Sequence, residues 1–406
     1  GGYALVLLAV GLRYFGRAGA IAVLVGAAAG SMNWAVRPQS FSFLCFGVLI
    51  YAIERHRRGD PRWLWVTVPL FFVWANTHGV FVYGVAVLGI YITTRLVELA
   101  LRARRSEVGE AQWREAATTA GIGLLALAAL AVTPLGPVGL VEYLLVQSGP
   151  VTRNLGEWQH LGLGSRDGVA VLGSAVLLVA LGWRRRRLLS VDQWLTIVLA
   201  LLLTLYIRRA AAWYGLVLIV PLATLLAEVM ATRPAAAIRR GDPRVNGGLI
   251  VAAVVAAVLT LPFWREALPN SNPLVEEHTP VAATTALCGQ LPTGARVFQH
   301  YTFASYQSWA CPQLKVFVDS RLYPFSFDQW EDYRIVTSAD ADWEVVLDRY
   351  EITHLFLSRL LQGPAILAAR ASPCWRAVYR DEVAEIFERA CAPDPTRLAA
   401  SSGTRG

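Results

Sequence analysis

Charge is what this sequence has least of. Charged residues make up 16% of its 406 positions, against roughly 25% in soluble domains. Lysine is confined to Lys315, and every other basic residue is an arginine; we read that bias as genome composition. There is no Cys-x-x-Cys and no paired His, which argues against a zinc site. A serine-hydrolase elbow, a P-loop and a dinucleotide fingerprint are also missing. The chain opens Gly1-Gly2-Tyr3 without Met, already inside an apolar run. It offers no signal-peptide n-region and is read as lacking an N-terminal portion.

What is present is apolar: 55% hydrophobic residues and a mean hydropathy of +0.44. Repeated apolar runs place the chain in the membrane class. The runs 1–12, 18–33, 38–53, 62–76, 80–99, 115–133, 168–183, 190–207, 211–229 and 247–264 predict about ten transmembrane helices. Alternating these spans sorts most arginines, such as Arg55, Arg57, Arg58, Arg102 and Arg184–Arg187, into one set of loops. That is the positive-inside pattern, so this set is cytoplasmic. Arg37, Arg153, Arg166, Arg208 and Arg209 fall on the other face. The net charge of +8 is thereby explained without nucleic acid, whose binding would need a basic patch.

The expected organisation is a helical membrane domain over 1–264, an extracytoplasmic α/β domain over 265–392 and a disordered tail over 393–406. The loop 134–167 carries an apolar run, Val138–Val146, too short to span and read as an interfacial or re-entrant helix. In the second domain, helices are expected at 280–290, 303–309, 326–336, 342–350 and 363–371, and strands at 295–299, 314–318, 353–357, 375–379 and 383–388. Their alternation predicts a partly parallel sheet. Cys288, Cys311, Cys374 and Cys391 all lie in this domain. An even number in an exported domain predicts disulfides. Cys288–Cys311 and Cys374–Cys391 are the favoured pairs because each brackets one local unit, although four cysteines allow three connectivities.

Candidate chemistry gathers at span ends on the outer face, where ionisable groups are costly unless paired or functional. The organising stretch is Trp74-Ala75-Asn76-Thr77-His78-Gly79, a polar turn between apolar runs. Arg37, His78, Arg208 and Arg209 are candidates for a phosphate site, since arginine supplies permanently charged, bidentate donors. The alternative for the Arg pair is anchoring to lipid headgroups, and for His78 a structural hydrogen bond. Glu157 and Trp158 offer a carboxylate beside a sugar-stacking ring, or an interfacial anchor. Asp319 and Arg321 directly follow a strand, with Tyr301, Tyr306, Trp309 and Tyr323 close in sequence. Strand ends of that kind bind ligands in α/β sheets, but Asp319 and Arg321 also suit a local cap or a mutual pair.

The order Arg37-Pro38-Gln39, Trp74-x-Asn76-x-His78-Gly79, Glu157-Trp158, Arg208-Arg209 and then Lys315-Val316-Phe317-Val318-Asp319-x-Arg321 resembles bacterial multi-spanning proteins near the GT-C glycosyltransferases. Their relatives include the lipopolysaccharide-core, arabinose and protein-mannosyl transferases. The resemblance implies inverting transfer from a polyprenyl-phosphate sugar, on the outer face, to an envelope glycan or protein. It makes Arg37, His78, Arg208 and Arg209 donor-binding residues. Acceptor recognition does not carry over from the family; from their own chemistry Trp158, Tyr306, Asp319 and Arg321 are the candidate acceptor- or sugar-binding residues. The general base is expected before Gly1, with Glu157 as the alternative. No cofactor is certain, and a divalent metal ion is compatible with the chemistry. The rival expectation is a non-catalytic scaffold or a lipid-linked glycan transporter.

Overall fold

The computed structural model describes residues 2–33, 38–105, 107–147, 158–231, 251, 255, 278–321 and 324–392. The chain divides into two compact units, Gly1–Arg240 and Gly241–Gly406.

Unit 1 is helical. Its helices are α1 (Gly2–Ala29), α2 (Gln39–Arg57), α3 (Thr67–Ala75), α4 (Phe81–Ala103), α5 (Glu110–Leu130), α6 (Gly136–Gln147), α7 (Arg166–Gly182), α8 (Val191–Tyr206) and α9 (Ala211–Ala231). The expectation of about ten transmembrane helices is corrected here. Among the described residues, only Phe81–Ala103 and Arg208–Ala231 are long and apolar enough to cross a membrane. Apolarity over a window did not translate into helix length. The run 62–76 divides into a 3₁₀ segment, Pro61–Val66, and the nine-residue α3. At Gly16 the backbone leaves the helical region, at φ 53°, and breaks α1 into two helices; the second, Gly16–Ala29, is apolar but short. α8 has 16 residues and α7 has 17, below the roughly 20 a span needs. The run 247–264 lies outside the described residues apart from positions 251 and 255. Without ten alternating spans, the inside–outside assignment of the arginine loops loses its basis.

α9 is the core of unit 1, buried almost continuously from Ala211 to Ala223. A helix that is apolar on every side needs neighbours all round. Trp213 meets Phe43 at 4.9 Å, Phe46 at 5.4 Å and Tyr83 at 5.8 Å between ring centroids. α1 crosses α9 at Gly26 and Gly215. A Cβ on Gly215 would stand 2.3 Å from the Gly26 carbonyl oxygen, so glycine is what lets these two backbones meet.

Unit 2 is α/β. Its elements are α10 (Val281–Gln290), β1 (Arg296–Gln299), α11 (Tyr301–Ala310), β2 (Lys315–Val316), α12 (Phe327–Ser338), α13 (Trp343–Arg349), β3 (His354–Ser358), α14 (Gly363–Ala371), β4 (Trp375–Arg380) and β5 (Ala384–Arg389). The sheet order is β2-β1-β3-β5-β4. β1 pairs in parallel with β2 and β3, while β5 runs antiparallel between β3 and β4. The sheet is therefore mixed, and the order 2-1-3 puts a reversal of chain direction across the sheet at β1. Side chains alternate across the strands. Val297, Phe356 and Ile386 pack with Ala283, Leu287 and Phe303 of α10 and α11. Phe298, one residue on, stacks on Tyr333 of α12 at 5.5 Å. Cys288–Cys311 and Cys374–Cys391 are disulfides, with Cα separations of 5.8 and 4.8 Å. The fifth cysteine, Cys45, is free and buried in α2.

Candidate functional site

The start of α2 brings the polar turn of the sequence to a defined place. Gln39 and Ser42 lie one helical turn apart, and both are buried, 2% and 0% exposed, on the face that also carries Phe43 and Phe46. Buried polar groups need partners. Ser42 Oγ accepts a hydrogen bond from Trp74 Nε1 at 2.9 Å and lies 2.9 Å from His78 Nδ1. Trp74 Nε1 can only donate, and the Ser42 hydroxyl, with one hydrogen and two lone pairs, can meet His78 Nδ1 in either imidazole tautomer. Burial pushes the His78 pKa down to about 4, and the Arg209 charge adds to the effect. His78 is thus a neutral imidazole at neutral pH. The turn is closed by Thr77 and His78 backbone N–H groups donating to the Trp74 carbonyl. Asn76 Nδ2 ties it to the Val132 carbonyl at 2.9 Å.

The second half of the site comes from a short 3₁₀ turn, Arg208–Ala210, that leads into α9. Arg209 Nη2 donates to Gln39 Oε1 at 3.1 Å. The Arg209 guanidinium lies over the Trp158 ring, 5.5 Å from its centroid. Two backbone bonds hold the Trp158 segment against the end of α8: Arg208 N donates to the Gln159 carbonyl at 2.9 Å and Leu161 N to the Leu205 carbonyl at 3.2 Å. Among the described residues, the buried Trp158 Nε1 has no acceptor. Trp158 therefore leaves one indole N–H donor unused beside a permanently charged guanidinium.

Of the sequence-predicted donor residues, the structure brings His78 and Arg209 together and puts Arg208 in the adjoining turn. Trp158, expected on the acceptor side, joins this cluster. Arg37 and Glu157 lie outside the described residues, two positions before Gln39 and one before Trp158. Gln39 and Ser42 received no role from the sequence. The available signal was a polar pair spaced three residues apart at the start of a helix whose middle is filled with Phe, Leu and Ile.

A second polar cluster was also missed, at the opposite end of α2. Arg57 is ion-paired with Glu54 and Asp192, and Arg58 with Glu54 at 3.1 Å. His56 Nδ1 meets the Tyr91 hydroxyl at 2.6 Å. Gln39 and Glu54 are fifteen residues apart on one helix, about 22 Å at 1.5 Å per residue. Glu54, Arg57, Tyr91 and Asp192 border a cavity of about 50 Å³ with Ile53 and Pro221. Its lining carries two carboxylates and one guanidinium, joined as ion pairs.

In unit 2, Asp319 follows β2 and is 3% exposed. Its carboxylate accepts from the Arg321 backbone N–H at 2.9 Å and from the Arg321 guanidinium through Nε and Nη2. Asp319 and Arg321 therefore form the mutual pair. Tyr306 lies on α11, against Trp309 at 5.6 Å between ring centroids. Tyr323 lies outside the described residues.

Among the described residues, no group of three or more His, Cys, Asp or Glu side chains is placed to hold a metal ion. No protein-family model matches this sequence, and no curated protein matches it.

Proposed function

We propose that this chain is a membrane glycosyltransferase that uses a polyprenyl-phosphate sugar donor, bound in unit 1 at Arg209, Arg208, Trp158 and His78. The observation that carries the proposal is the buried Trp158 Nε1–H, without an acceptor among the described residues, beneath the Arg209 guanidinium. A phosphate oxygen supplies the missing acceptor, and arginine matches its charge. In the reaction, the bond between the sugar anomeric carbon and the phosphate oxygen breaks. An acceptor hydroxyl oxygen forms the new bond to that carbon and gives its proton to a base. The leaving group is a phosphate that gains negative charge, and fixed cations stabilise that charge as it develops. The neutral imidazole of His78 adds a polar group beside Arg209 without adding charge.

Two disulfides in unit 2 and two helices apolar enough to cross a membrane are compatible with a membrane or extracytoplasmic protein. We place unit 2 in the extracytoplasmic space, where disulfides persist. The acceptor is then an envelope glycan or protein.

The test is a donor assay on the chain in membranes with radiolabelled polyprenyl-phosphate sugars. Transfer or donor hydrolysis, lost in a folded Arg208→Ala/Arg209→Ala variant, is the expected result. Equal behaviour of variant and wild type, or no donor consumed, overturns the proposal and favours a non-catalytic scaffold.

A further inference from the structure

Trp309 is 74% exposed, an unusual position for the largest apolar ring. Its surroundings are specific. α11 buries Phe303, Ala304 and Gln307 and turns Thr302, Ser305, Ser308 and Trp309 outward. Ser305 and Trp309 are four residues apart and so share a helix face. Ser305 Oγ lies 2.7 Å from Ser320 Oγ, which fastens this face to the 319–321 turn. Asp319 holds the Arg321 guanidinium through Nε and Nη2. The Arg321 side chain nevertheless remains 69% exposed, with Nη1 outside the pair. Tyr306 backs Trp309 at 5.6 Å.

We propose that this face of unit 2, formed by Trp309, Ser305, Ser320 and Arg321, binds a saccharide chain. An exposed indole offers a flat apolar surface to the C–H face of a sugar ring, while the serine hydroxyls and the outer guanidinium N–H groups meet its hydroxyls. The Asp319–Arg321 pair is internally neutral, so the face does not select for an anion. A lipid surface is the competing occupant of an exposed Trp. The outward residues of α11 argue against it, because they are small hydroxyl side chains and Ala310. Membrane-surface helices present leucine, phenylalanine and basic residues instead. The assignment stands independently of the donor site, since every residue in it belongs to unit 2. Asp319 acts as a positioning residue that fixes Arg321.

The experiment is saturation-transfer NMR on the full chain in detergent with glucose, mannose and galactose tetrasaccharides, alongside flotation with phosphatidylglycerol vesicles. Wild type is expected to transfer saturation to at least one tetrasaccharide. Trp309→Ala should weaken that binding at least about tenfold, with Trp309→Phe intermediate. Arg321→Ala should weaken it less, and Trp158→Ala should leave it unchanged. Circular dichroism should show the Trp309 and Arg321 variants folded, because both side chains are exposed. Transfer to none of the three sugars, equal transfer in Trp309→Ala, or a Trp309 dependence confined to the vesicles would overturn the assignment. Loss of binding in Trp158→Ala would move the saccharide to unit 1 and overturn it as well.

Discussion

The Arg209 guanidinium lies over the Trp158 ring at 5.5 Å while the indole N–H, buried, has no acceptor among the described residues. These two residues are 51 positions apart, as read from their numbers. They meet because the backbone of residues 159–161 is hydrogen-bonded along the end of α8 and the start of the Arg208 turn. The pair provides a test with separable parts. Trp158→Phe keeps the ring and removes the N–H. It should lower affinity for a polyprenyl phosphate about tenfold, the worth of one hydrogen bond to a charged group. Trp158→Ala removes the cation–π contact as well and should cost more. Arg209→Lys should not rescue binding, since an ammonium cannot reproduce the planar fork. Competition with a labelled short-chain polyprenyl phosphate measures all three.

The Arg57–Asp192 pair joins α2 to α8, and Asp192 is 7% exposed. Asp192→Leu leaves Arg57 with Glu54 alone and should destabilise unit 1 by about 3 kcal/mol, the usual cost of breaking a buried pair on one side. Arg57→Met/Asp192→Leu should recover part of that loss. Thermal aggregation midpoints in detergent will show the order: wild type highest, single variant lowest, double variant between them.

His300 predicts how unit 2 responds to acid. It is 5% exposed at the end of β1, and burial pushes its pKa down to about 4 from 6.5. The fold therefore holds a neutral imidazole that the unfolded chain protonates below pH 6.5. Between those two values the unfolded state binds more protons, so stability falls as the pH drops from about 6.5 to about 4 and is flat with respect to this group above 6.5. The shift corresponds to about 3 kcal/mol. His300→Asn keeps an acceptor for the Thr302 backbone N–H at the helix N-terminus and removes the titration. Urea unfolding at pH 7 and pH 4.5 should show a smaller drop for the variant than for wild type. An equal drop would assign the acid response to the carboxylates instead.

The cysteine arrangement gives a direct count. The chain has five cysteines, of which only Cys45 is free. Denatured without reductant, the protein should take up one maleimide label, and after reduction five, by mass spectrometry. Replacing Cys288 and Cys311 with serine should lower the stability of unit 2 by about 3 kcal/mol, the loop-closure value for a cross-link of this span.

Unit 2 was the more legible half of the chain. Its strands are short, alternate between apolar neighbours and are bounded by turn residues. The helix expected at 363–371 appears as Gly363–Ala371, and the strand expected at 353–357 appears as His354–Ser358. Both disulfide pairs join the cysteines that bracket one local unit. The strand expected at 314–318 shortened to Lys315–Val316. β2 is an edge strand paired only with β1, and the carbonyl of Val318 and the backbone N–H of Phe317 are satisfied by the Gln299 side chain instead of a ladder.

Unit 1 shows where one-dimensional reading fails. The apolar runs became helices, but hydropathy is summed over a window, whereas helix length depends on single backbone positions such as Gly16 and on 3₁₀ turns such as Pro61–Val66. A run apolar enough to span is thus not necessarily one helix long enough to span. The sequence by itself determined the composition-level facts: an apolar, charge-poor first part, an α/β second part, and cysteines confined to the second apart from Cys45. Local propensity and pattern suffice for these, because each depends on neighbours within about one element. Tertiary structure alone decided that Gln39, Ser42, Trp74 and His78 gather around one end of α2, that Trp158 lies under Arg209, and that Asp319 is occupied by Arg321. Those relationships depend on helix packing around α9 and on the loop drawn against α8, where buried polar groups find partners that no spacing in the sequence records.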